Sequence, residues 1–387
     1  MKKIFGIIIV FIIWSTTGLA GSNKDFDTRV QLLEERINVL EDQNEFIDKK
    51  VANRLIISGY ADAAYRVDSR KTIADSFDLH HLSLFLSQKI DNNWHFFSEI
   101  EFEDAPKFQA TDPVTVHVDC GIDTICGNSD DSFATINTLN SAEGKIYTEA
   151  LNLTYDWRSY ANFRIGRFFT PAGIWSIDHY PPYTATQVRP RHIREIFPQT
   201  TDGIMLTGIT ALFDHFFSYD AYISNGEGNT AHIDQNNNKA VGLRVEIDVP
   251  VFSQTTFGVS IYDEILNDKT DKSATGLHFK IRQGMKEIQS EYAEATLDSP
   301  SIGKYQRRGY YFQAQHHFNN WSAGLRYDYY SQDTRVDNAE VTRSLFSSYH
   351  ISEDLSIKLE HHIINFNDTN AEDYNTTLLS LIANLSN

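Results

Sequence analysis

From Leu55 onward, apolar and polar residues take turns along the chain in runs of about ten, the length of a tilted strand that crosses lipid. Trp321, Ala323, Leu325, Tyr327 and Tyr329 interleave with Ser322, Gly324, Arg326 and Asp328. Val241, Leu243, Val245, Ile247 and Val249 do the same with Gly242, Arg244, Glu246 and Asp248. A period of two puts one class of side chain on each face of a strand. Sixteen such runs follow one another: 55–66, 78–90, 93–104, 145–157, 160–168, 202–212, 216–225, 239–249, 254–263, 274–282, 285–296, 305–318, 321–331, 341–350, 355–366 and 375–386.

The connections alternate between short turns and long polar loops, seven of the first and eight of the second, which leaves both ends of the sheet on the short-turn side. Aromatic residues collect at the short turns: Trp94, Trp157, Tyr160, Phe216, Phe217, Phe318, Trp321 and Tyr349. Amphipathic rings settle at a membrane–water boundary, so this set reads as one girdle. A sixteen-stranded barrel has a lumen too wide for side chains to fill, so its polar face lines water and its apolar face meets lipid. Closure removes every sheet edge, as lipid requires. The expected fold is all-β, a 16-stranded antiparallel transmembrane β-barrel preceded by a short N-terminal coiled-coil helix.

Composition agrees by exclusion. Lys and Arg total 34 against 52 Asp and Glu, a net charge of −18, which repels nucleic-acid backbones. Beyond residue 20 no uncharged apolar run reaches 18 residues, so helical spans are excluded.

Residues 1–20 read as a secretory signal peptide. Met1-Lys2-Lys3 is basic, Ile4 to Trp14 is apolar, and Gly18-Leu19-Ala20 supplies small residues for cleavage. An uncleaved anchor is the other reading. Residues 21–53 carry a heptad seam of Phe26, Val30, Leu33, Ile37, Leu40, Asn44, Ile47 and Val51. Arg29 and Arg36 stand where a partner helix would present Glu34 and Glu41, so the segment reads as a self-associating coiled coil in the periplasm. Packing of the same helix on its own domain is the alternative.

The barrel domain spans 54–387, and its third long loop, 169–201, is too rich in proline and aromatic residues to wave in solvent. It reads as a constriction folded into the pore. Positive charge gathers there: Arg164 and Arg167 on the fifth run, then Arg189, Arg191, His192 and Arg194 in the loop. Guanidinium forks bind phosphate and carboxylate, and charged rings set pore selectivity. The arginines either form an anion-binding constriction or pair with wall acids such as Glu99, Glu101 and Glu103. Cys120 and Cys126, six apart in a polar stretch, form a small disulfide loop in an exported chain or remain two thiols.

Three features give the chain a family likeness: the heptad helix after the leader, Ile57-Ser58-Gly59-Tyr60-Ala61-Asp62 at the start of the barrel, and Gly166-Arg167-Phe168-Phe169-Thr170-Pro171-Ala172-Gly173 leading into the third loop. It resembles the outer-membrane porins of the phosphate-selective O and P type, coiled-coil-bearing proteins of Gram-negative bacteria. The resemblance implies a homotrimeric diffusion channel with Arg189, Arg191 and Arg194 as pore arginines.

No nucleophile, zinc, phosphate-loop or dinucleotide motif occurs, so no enzyme, cofactor or metal is expected. The histidine pairs at 80–81, 316–317 and 361–362 lie on strands, where neighbours point apart and cannot share a metal. The functional expectation is a passive outer-membrane channel for small hydrophilic solutes, with an anion or phosphate preference left open by the two readings of the arginines. A non-conducting adhesin or tether is the alternative.

Overall fold

The computed structural model describes residues 54–110, 114–119, 132–136, 139–212, 215–227, 234, 236–249, 254–368 and 370–385. The leader 1–20, the heptad segment 21–53, and Cys120 and Cys126 lie outside the described residues.

The alternating runs form one closed antiparallel barrel of sixteen strands. In chain order these are β1 (Ile56–Asp68), β2 (Ser76–Lys89), β3 (Trp94–Ala110), β6 (Leu139–Arg158), β7 (Ala161–Phe169), β8 (Thr200–Leu212), β9 (His215–Ser224) and β10 (Ala240–Asp248). They continue as β11 (Gln254–Ile265), β12 (Asp271–Gln283), β13 (Lys286–Ser299), β14 (Gly303–Phe318), β15 (Trp321–Ser331), β16 (Glu340–His350), β17 (Leu355–Phe366) and β18 (Tyr374–Leu385). Between β3 and β6 the chain makes a separate hairpin of β4 (Val114–Asp119) and β5 (Ser132–Ile136). Each barrel strand pairs with its sequence neighbour, β3 pairs with β6 across the hairpin, and β1 pairs with β18 from Gly59–Leu385 to Asp68–Thr376 to close the ring.

Each of the sixteen expected runs became a strand. Two ends of the pattern differ. β6 starts at Leu139 rather than 145, because it stays paired with the extended end of β3. The link between β13 and β14 is only residues 300–302, as short as the turns on the opposite rim.

Burial follows the pleat. On β17, Ser356, Lys358, Glu360 and His362 are buried while Leu359 and His361 are exposed. The outward residues form an apolar belt of Leu325, Leu345, Leu359, Leu379, Leu381, Leu277, Ile204 and Ile165, with Leu345 exposed by 66%. Burying one leucine is worth roughly 1.5–3 kcal/mol, so a belt of this extent belongs in lipid. Among the described residues no helix is long and apolar enough to cross a membrane. Trp94, Trp157, Tyr160, Phe318 and Trp321 stand exposed at the short-turn rim, as a girdle requires. Phe216 departs from it: it pairs with Asp248, beside Ser218 and Glu246, and so faces the lumen.

Candidate functional site: a loop folded into the lumen

Residues 170–199 join β7 to β8 and run inside the barrel, where distant strands hold them. On one side, Tyr180 Oη donates to Glu99 Oε2 of β3 at 3.0 Å. Across the lumen, Gly173 N donates to Ser260 Oγ of β11 (3.2 Å), and Arg244 Nε of β10 donates to Gly173 O (3.1 Å). Trp175 N donates to Glu291 Oε1 of β13 at 3.0 Å. Further along, Arg326 of β15 donates to Thr186 Oγ1 (2.5 Å) and Val188 O (2.9 Å). Lys358 of β17 donates to Pro181 O (2.6 Å) and to Thr184 O, and Glu360 Oε1 accepts from Gln187 N (2.6 Å). Gln187 also reaches Asp62 of β1 and Ser380 of β18. Hydrogen bonds to charged groups are worth about 1.5–3 kcal/mol each, so the loop is fixed rather than draped.

Its sequence suits that position. Pro171, Pro181, Pro182, Pro190 and Pro198 have no N–H, which reduces the donors that need partners inside a protein. Gly166 has φ +123° and lies so close to the β6 backbone that a Cβ would sit 2.2 Å from Leu151 O. Gly173 has φ +63°, and a Cβ there would strike the Glu291 carboxylate. These two glycines let the Gly166–Gly173 stretch turn off the wall and press on β13. Trp175, Ile196 and Phe197 are buried as apolar pegs, and the Arg326 guanidinium lies 5.7 Å over the Trp175 ring. A short helix α1 (Arg191–Ile196) ends the loop.

The six positive candidates separate. Arg189 and Arg194 are brought together: the Arg189 charge acts on Arg194, and neither has a side-chain hydrogen bond or ion pair among the described residues. Burial, then the neighbouring Arg189 charge, pulls the Arg194 guanidinium below its usual range. Opposite them stand Glu101 and Glu103 of β3, and Glu149 of β6, which lies in a bulge and accepts from Gln199 Nε2 at 3.0 Å. The other four have partners or other surroundings. Arg191 is bound to Glu340 Oε2 at 2.9 Å. Arg164 faces the lumen lower down and donates to Thr154 Oγ1 at 3.1 Å. Arg167 shares the outward parity of Ile165 and holds Asp202 with two bonds of 2.7 and 2.9 Å. His192 is buried against Tyr311 and the Gly309 backbone, and neither ring nitrogen has a partner. Burial, then the Arg326 charge, pushes it down to about 3, so it brings no charge to the lumen at neutral pH. The nearby loop residue His179 is likewise held well below its usual range, by burial and then by Arg189.

The residues that anchor the loop, Asp62, Glu291, Arg326, Lys358 and Glu360, were not singled out as a set by the sequence. Their signal was charge at positions whose parity faces inward. One sequence expectation fails outright. His80 and His81 do not point apart: their ring centroids are 3.7 Å from each other. Asp62 pairs with His81 and Ala64 with Asp78, so Leu79 and His80 together lie opposite the single Ala63. That bulge brings the His80 ring to the side of His81.

No family model matches the sequence, and no curated protein is similar to it. Solved structures are. The anion-selective porin from Comamonas acidovorans aligns with TM-score 0.60 at 9% identity, over 86% of this chain and 99% of that one. The outer-membrane channel DcaP of Acinetobacter baumannii aligns with TM-score 0.55 at 10% identity, over 87% and 99%. Salmonella typhi OmpF, solved with daunomycin, aligns with TM-score 0.55 at 9% identity, over 87% and 99%. At such identities the likeness concerns architecture: the chain has the sixteen-stranded barrel fold of outer-membrane porins.

Proposed function

We propose that the protein is a passive outer-membrane channel for small hydrophilic solutes, working as a homotrimer, and that it favours anions. The observation that carries this reading is the loop 170–199 inside the lumen, presenting Arg189 and Arg194 with no ion-pair partner among the described residues. Facing acids on β3 and β6 give the opening a positive and a negative side. Such a field orients a dipolar solute as it passes and costs no conformational change. Selectivity follows from which side has more uncompensated charge at the narrowest point. These two guanidinium groups favour carboxylates and phosphates, in keeping with the resemblance to phosphate-selective porins. Nothing in the reading calls for catalysis, a cofactor or nucleic acid.

The test is a planar-bilayer recording under a KCl gradient. Steps that close in threes, with a reversal potential on the chloride side, support the trimeric anion channel. Changing Arg189→Gln together with Arg194→Gln is expected to move the reversal potential toward cations. An unmoved potential removes these residues from the pore. A properly inserted barrel that never conducts favours the tether reading instead.

A further inference from the structure

We infer that the inner wall of the barrel holds a divalent transition-metal site, with Asp62 of β1 and His80 and His81 of β2 as ligands and zinc as the fitting ion. The three candidate donor atoms lie within 4.8 Å of one another. His81 Nδ1 is 2.9 Å from Asp62 Oδ1, and His80 Nδ1 is 3.5 Å from Asp62 Oδ2. Around a tetrahedral ion with bonds of about 2.0–2.2 Å, neighbouring donors stand about 3.3 Å apart, so both separations suit one ion. Two imidazoles and a carboxylate leave a further position open, and imidazole donors suit zinc, copper or nickel better than calcium or magnesium.

The bulge is the second argument. A regular strand would carry His80 to the lipid face, beside Leu82. The extra residue at Leu79–His80 turns it inward instead, at the cost of broken pairing opposite Ala63. Bulges recur where a side chain is re-aimed toward a site.

The surroundings are the third. A metal-bound histidine commonly donates its other ring N–H to a carboxylate. His81 Nε2 is 3.9 Å from Glu101 Oε1 and 3.9 Å from Glu103 Oε1. Asp62 is fixed from the loop side by Gln187. The His80 side chain keeps 28% of its exposure while that of Asp62 has none, so the ion enters past His80. Zinc then takes the place of the proton between His81 Nδ1 and Asp62: from the imidazolium that proton leaves to water and Nε2 keeps its own, and in the neutral ring the proton moves through water from Nδ1 to Nε2. Arg189 is the opposing charge, for it acts on His81 from the loop.

The test uses the untagged full-length barrel in detergent, stripped with a chelator and titrated with zinc chloride by calorimetry. One zinc per chain is expected in the wild type. His80→Ala and His81→Ala are each expected to weaken binding by more than tenfold, and Glu101→Gln by roughly tenfold or more. Arg189→Gln is expected to tighten it. His361→Ala, on the outer face, serves as the unchanged control, and heat-modifiable gel mobility checks that each variant is folded. A wild-type barrel that gives no zinc heat overturns the site, as does a folded His80→Ala variant that binds as well as the wild type. The titration needs no conductance, so it stands or falls apart from the channel reading.

Discussion

His192 shows at the scale of one residue how a lumen of this kind is built. Sequence position alone groups it with the arginines around it. In the fold it is a peg: its Cβ meets the place where Gly309 has none, and its nitrogens go unbonded. Its folded value of about 3 lies below the roughly 6.5 of an unfolded histidine. Between those values the unfolded chain binds the extra proton, so stability is complete above about pH 6.5 and declines as pH falls. Each pH unit within that window costs ~1.4 kcal/mol for one such group. Urea unfolding in detergent at stepped pH is expected to show the decline. In His192→Leu that contribution disappears, and neutral-pH stability holds or rises because two unbonded buried nitrogens are gone. An unchanged slope in the variant means another group sets the acid response.

At the scale of elements, the question is what ties the inner loop to the wall. Lys358 and Glu360 sit two apart on β17 and so share one face. Together they hold four loop backbone groups, at Pro181, Thr184, Gln187 and Val188. Lys358→Met removes two charged hydrogen bonds and is expected to cost about 2 kcal/mol or more in loop anchoring. Single-channel traces are the readout: higher conductance and more frequent flicker are expected, and wild-type traces mean that the other anchors suffice. How much of this was readable in advance varies by element. The barrel strands were legible because lipid outside and water inside write a strict period of two into every span. The residues 114–118, Val-Thr-Val-His-Val, carry the same signal, but the hairpin they begin lies outside the barrel rhythm, so the alternation of spans gives it no place. Helix α1 was illegible: six residues after a proline contain too few turns for a period. The bulge at Leu79–His80 was illegible too, since it depends on β1 having one residue fewer at that point. Among the arginines, sequence gave the neighbourhood but not the pairing. Glu340, which holds Arg191, is 149 residues away.

On the scale of the whole molecule, stability rests on covering an apolar outer surface that water does not suit. Leu345, midway along β16 between Leu325 and His361, is a direct probe. Leu345→Arg is expected to cost roughly 2–4 kcal/mol if this position lies at the bilayer centre. Reversible unfolding from vesicles measures it, with a lumen-facing change such as Ser344→Arg as comparison. A negligible cost at Leu345 would place it outside the hydrocarbon layer or under a neighbouring protomer.

The inner loop also braces the barrel mechanically. A hoop of hydrogen-bonded strands resists stretching around its rim but flattens easily into an oval when squeezed from the side. The segment from Gly173 to Gln187 is bonded to β3 at one wall and to β11, β13 and β17 at others, so it acts as a spoke across the hoop. Lateral pressure from the bilayer is therefore borne across the diameter as well as around the circumference. The same bonds that narrow the opening keep it round.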